Sequence, residues 1–172
     1  MKKIGFYLLL VMLVGSACNG DLISYDFQRS GNLLIRAGLG PSTVHNFSVE
    51  NLNTDYSDIA EANNQTTEST VDLYMRFLAI ELVAPLSRDL NFLQRGEVFI
   101  NAPGRPEIKV GELASTSSSL GQYVEFTTTT EPVINHFQAD SYSLRLELVF
   151  DELVTLDREV RILQSFRVLA ED

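Results

Sequence analysis

Few residues of this chain have the type and spacing that chemistry needs, and the first is Cys18, its only cysteine. A thiol becomes a nucleophile when it ionises. Here it directly follows Gly15-Ser16-Ala17, the small-residue pattern at which an export signal is cut. The two histidines, His45 and His136, lie far apart, and neither has a second His or a Cys at ligand spacing. A catalytic zinc takes about three protein ligands, so both are expected to be exposed or loop histidines. Asn53, Asp55, Ser57 and Asp58 alternate oxygens as a calcium loop does, but the sixth position is not glycine and the twelfth, Asn64, is not glutamate. A helix cap at Asp55, with Asp58 three residues on, accounts for the same residues. Asp151-Glu152 and the pair Asp157 and Glu159 read as solvated turn carboxylates rather than an acid–base pair. No Gly-x-Ser-x-Gly elbow occurs, and no Gly-rich loop opens a helix to cradle phosphate. No catalytic, cofactor-binding or metal-binding residue is therefore expected, and the chain is read as a non-enzyme.

The segment that delivers Cys18 has three parts. Lys2 and Lys3 open it, Ile4–Val14 forms an apolar run broken only by Gly5, and the small residues follow. A spanning helix needs roughly 20 apolar residues; this run is too short and reads as the core of a secretory signal. With a cysteine immediately after the small residues, the segment resembles a bacterial lipoprotein signal. That resemblance implies lipid attachment at Cys18, which becomes the new N-terminus, and a firm hold through several acyl chains. The pattern prefers Leu, Ile or Val where Gly15 stands, so an ordinary cut that leaves a free Cys18 thiol is the alternative. An unpaired exposed thiol is a liability outside the cell, which favours lipidation. The expected division is 1–17 signal peptide, 18–21 lipidated N-terminus and linker, and 22–172 a single domain.

The precursor of 172 residues carries a net charge of −10, and loss of Lys2 and Lys3 takes it to −12. Lys109 and ten arginines are then the only cations. Such acidity argues against nucleic acid as a partner and against attraction to anionic lipid heads. The expected membrane contact is through lipid on Cys18 alone. No internal disulfide can form, so an apolar core must hold the domain. Asn46-Phe47-Ser48 and Asn64-Gln65-Thr66 match the glycosylation pattern, which has no bearing in a bacterial envelope.

The elements that must position these residues are mostly strands. Ile23, Tyr25 and Phe27 alternate with Ser24 and Asp26, and a Gly31-Asn32 turn leads to a second strand at Leu33–Ala37. Thr43–Leu52 places His45, Phe47 and Val49 on one face. A short helix is expected after Asp55, with Tyr56 and Ile59 inward, and a mobile loop from Asn63 to Thr70. Val71–Ala84 is the longest apolar stretch after the signal. Its apolar phase moves by one residue at Leu78, as a bulge or two-sided burial requires, and it suits a central strand. Glu97–Asn101 and Glu107–Gly111 form a hairpin through Pro103-Gly104. Ser115–Ser119 reads as a flexible loop, Gln122–Thr130 as a strand, and Glu131-Pro132 as the start of a helical turn that carries Val133, Ile134 and Phe137. Asp140–Phe150 buries Tyr142, Leu144, Leu146, Leu148 and Phe150. Glu159–Ala170 buries Val160, Ile162, Phe166 and Val168, and these two strands are expected to pair through Asp151–Asp157. Seven or eight short strands with one-sided faces predict an all-β, immunoglobulin-like β-sandwich.

Several of these segments together carry a further resemblance. They are Val71–Leu82, Asn91-Phe92-Leu93, the hairpin Glu97-Val98-Phe99-Ile100-Asn101 to Glu107-Ile108-Lys109-Val110, the turn at Phe137, Asp140–Arg145 and Val160–Ala170. In that order they resemble a loose group of uncharacterised bacterial lipoproteins with sandwich domains. The resemblance implies the fold and supplies no site. The expected function is a lipid-anchored cell-envelope protein, on a periplasmic face or the cell surface, with a binding or structural domain for an unidentified protein or glycan. An apolar carrier, suggested by the two-sided strand Val71–Ala84, and an envelope hydrolase are the rivals.

Overall fold

A computed structural model describes residues 21–114 and 120–172. The signal segment, Cys18 and the Ser115–Ser119 loop lie outside the described residues. Among those described, nine strands and two short helices follow in the order β1 (Leu22–Ile35), β2 (Val44–Asn53), α1 (Tyr56–Ala62), β3 (Thr70–Ala84), β4 (Leu93–Asn101), β5 (Ile108–Leu113), β6 (Tyr123–Glu125), β7 (Thr127–Thr128), α2 (Ile134–Phe137), β8 (Ser141–Phe150) and β9 (Arg158–Glu171). They make two antiparallel sheets, β1-β9-β3-β6 and β2-β8-β4-β5-β7. The fold is an all-β sandwich.

Alternation dictates the packing. On β8, Tyr142, Leu144, Leu146, Leu148 and Phe150 are buried, and on β9 Val160, Ile162, Phe166 and Val168 are, so the two rows face each other across the core. Rings fill the space between. Phe166 stacks on Phe27 at 5.2 Å and meets Phe137 edge-on at 4.7 Å, and Phe137 lies 5.0 Å from Tyr142. Inward and outward neighbours thus separate cleanly along each strand.

β3 is the third strand of its sheet, paired on both sides. Its register against β9 slips between Met75 and Phe77. Leu73 and Met75 point inward before the slip, and Leu78, Ile80 and Leu82 after it. The phase change expected at Leu78 is this bulge, with Arg76 as the extra residue. The β4–β5 hairpin forms as expected, turning through Gly104 at φ +72° with Arg105 N–H donating to Ala102 O at 3.0 Å.

Five expectations change. The segments around Phe27 and Leu33 are one strand, β1, paired with β9 without interruption from Leu22↔Glu171 to Ile35↔Arg158. Gly31 sits within it because a Cβ there would collide with Val49 Cγ1 of the facing sheet. Gln122–Thr130 divides at buried Phe126, with β6 joining the first sheet and β7 the second. β8 and β9 do not pair: their apolar rows oppose each other, so Asp151–Asp157 crosses between sheets, fixed by buried Val154, whose N–H donates to Leu39 O at 3.0 Å. Asp55 stands at the N-cap of α1 but is left-handed, at φ +42°, and its side chain makes no cap bond; the carboxylate lies 3.4 Å from Arg29 instead. Residues 63–70 are tied down, with Gln65 N–H donating to Ala60 O at 2.9 Å and Ser69 Oγ–H to Gln65 Oε1 at 2.7 Å.

Candidate functional site

The loops fall into two groups by strand direction. At the end where β1 begins and β9 finishes lie residues 53–70, 102–107 and 129–140, and a cleft of about 640 Å³ opens between the first and the last of these. Asn53, Asp55, Ser57, Asp58, Thr67, Glu68, Gln138 and Asp140 give it polar walls, and Ile134 and Phe137 an apolar side. Local chemistry explains the wall at 53–55. Thr54 is buried and donates from Oγ1 to Ala139 O at 2.8 Å, which ties the end of β2 to the start of β8. Asp55 N–H donates to Asn53 Oδ1 at 3.1 Å, closing a tight turn.

Arg29 secures this end. It lies on the inward side of edge strand β1, and its guanidinium donates to Thr54 O at 2.7 Å and Asn53 O at 3.3 Å while facing the Phe27 ring at 5.5 Å. One side chain thus joins an edge of the first sheet to the end of the second.

The residues that could do chemistry are dispersed. The ring of His45, on β2, stacks on Phe150 at 4.8 Å with Nε2 2.8 Å from Gly40 O. His136 is not an exposed loop histidine: it is buried on α2, with Nε2 2.8 Å from Pro106 O. It packs there because α2 closes over the core beside Phe137. Asp157 accepts from Ala37 N–H at 2.8 Å, a turn role, while Asp151, Glu152 and Glu159 are exposed. Among the described residues no three His, Cys, Asp or Glu side chains gather at metal-binding distance. No helix among them is long and apolar enough to cross a membrane.

No protein-family model and no curated protein matches the chain. Among solved structures it is similar to a chain of the cyanophage Pam1 capsid asymmetric unit, at 10% identity over 84% of this chain and 85% of that one, with a TM-score of 0.40. It is also similar to turnip yellow mosaic virus at 100 K, at 9% identity over 86% and 96% of the two chains, with a TM-score of 0.28. A second turnip yellow mosaic virus structure gives 10% identity, 89% and 96% coverage and a TM-score of 0.27. At these scores the likenesses carry no argument.

One buried polar pair escaped the sequence reading. Tyr142 donates to Gln164 Oε1 at 2.8 Å across the core, and burial pushes the Tyr142 hydroxyl well above the usual phenol range. Gln164 occupies an inward place in the row Val160, Ile162, Gln164, Phe166, so the alternation itself marks it as buried. Tyr25 is pushed up to about 12, by burial first and neighbouring Tyr56 second. Both phenols stay neutral at physiological pH, and the Tyr142–Gln164 bond joins the two sheets.

Proposed function

We propose that this chain is a lipid-anchored protein of the bacterial cell envelope, held through Cys18, whose sandwich is a non-enzymatic binding or structural module. The observation that carries this reading is the N-terminal order of charged start, apolar run, small residues and Cys18, which leads within three residues to Leu22 at the start of β1. The domain then hangs from its own edge strand with almost no tether. The acidic cleft at the same end (Asp55, Asp58, Glu68, Asp140) repels anionic lipid heads, so attachment depends on the acyl chains. The aromatic cluster of Phe27, Phe137, Tyr142 and Phe166 occupies the space an apolar carrier would keep open, which favours a binding module over the carrier.

Metabolic labelling with a fatty acid tests the anchor. The wild-type chain is expected to take up label and sediment with membranes, and Cys18→Ser to lose the label and enter the soluble envelope fraction. Wild-type protein that never incorporates fatty acid would refute the reading.

A further inference from the structure

The two outer faces of the sandwich differ in kind. Outward on the second sheet, Arg145 lies over Phe99 at 4.2 Å between Glu107 and Glu147, and Lys109 bridges Glu97 and Glu112. That is a charged, solvated surface. The outer side of the first sheet instead carries Leu34, Phe77, Val83, Tyr123 and Leu163, with Phe77 stacked on Tyr123 at 6.5 Å. Two shallow clefts of about 320 and 350 Å³ lie along this stripe and share Arg161. Arg76 and Arg167 pair with Asp26, and Arg161 lies 3.7 Å from Glu81, which sets three cations against two carboxylates at the centre of the face. Asp72, Glu125, Glu159 and Glu171 stand at its rim. Ion pairing largely neutralises the charge at the centre of this face.

We infer that the outer face of β1, β9 and β3 is a self-association surface, occupied by the same face of a second copy of this chain. The inference rests on the anchored reading. Three residues separate Cys18 from Leu22, a reach of about 14 Å when extended, so every copy in one membrane holds the Leu22 end of its strands at the same level. A two-fold axis along the membrane normal then brings identical faces together, and confinement to one plane raises their effective concentration. The size is adequate. Strands of fourteen residues at about 3.3 Å per residue, three abreast at about 4.8 Å, give roughly 650 Å² of projected face, against about 800 Å² of accessible surface per partner in a standard interface.

Cross-linking of the full-length chain in its own membrane tests this. Ser165 faces outward at the middle of the surface, opposite Gln28 and Phe77, whereas Ser143 faces outward on the other sheet, opposite Asn101. With Cys18 consumed by lipid, Ser165→Cys and Ser143→Cys each offer one thiol to a short bis-maleimide. A homodimer at Ser165→Cys about tenfold stronger than at Ser143→Cys is expected from the orientation and confinement, and Phe77→Glu in the Ser165→Cys chain should remove it. Absence of dimer at Ser165→Cys, equal yields at both sites, or an adduct with a different protein would each overturn the inference. Fatty-acid labelling of the same samples separates the two readings: labelled but monomeric protein rejects only the self-association surface, and unlabelled monomer rejects both.

Discussion

At the scale of single residues, the sharpest contrast lies along β8. Leu146 is fully buried at the centre of its row, while Glu147 next to it faces water and pairs with Arg145. Leu146→Ala should cost about 2–5 kcal/mol through lost burial and a cavity, and Glu147→Ala less than about 1 kcal/mol, as for a surface ion pair. Urea unfolding of the two variants checks this, and similar losses at both positions would contradict it. The contrast was legible in the sequence because period-two burial needs only the residue types in order. Partners were not. Asp26 reads as a polar outward residue, yet it receives Arg167 and Arg76 from two other strands, and those guanidiniums hold its carboxyl below the usual carboxylate range. A depressed folded-state value stabilises the protein above the unfolded pKa, about 3.9, and that stability disappears as pH falls through the lower folded value. Asp26→Asn should therefore lower the melting temperature at pH 7, and the difference from wild type should shrink as pH falls below about 3.9, measured by thermal unfolding across the acid range.

At the scale of elements, existence was easier to read than membership of a sheet. The outward and inward rows of β8 and β9 follow from alternation, but alternation is the same whether two strands pair or face each other across a core. Buried Val154 and the bonds of residues 37–39 to the 154–157 segment decide that these strands face each other, and those contacts join residues more than a hundred positions apart. The division at Phe126 has the same origin. A threonine run continues any strand locally, while the switch between sheets depends on Phe126 N–H donating to Leu78 O at 2.9 Å and its ring filling the core. Phe126 belongs to no strand, yet Phe126→Ala should cost about 3–5 kcal/mol. Tyr123→Ala, three residues away and 42% exposed, should cost less than about 1 kcal/mol. Denaturant midpoints compare them, and equal losses would deny Phe126 its role between the sheets.

At the scale of the whole molecule, the described oxygens from Asn53 to Asp58 line a cleft wall but are committed to Arg29, to a turn and to one another. Added chelator should therefore leave the melting temperature unchanged. A drop reversed by calcium would show a bound ion, since one site at about 100 times its dissociation constant contributes roughly 2.7 kcal/mol. The unbroken pairing of β1 with β9 bears on how the molecule withstands force. Ladder hydrogen bonds run across the strand direction, and β1 holds one register over fourteen residues. A pull through the residues before Leu22, opposed at the far end of the sandwich, acts along β1 and strains the whole ladder together. A sideways pull at Leu22 peels the pairs apart in sequence, beginning with Leu22↔Glu171. The pairing is mechanically directional: stiff against a pull along β1, and weak when Leu22 is levered sideways.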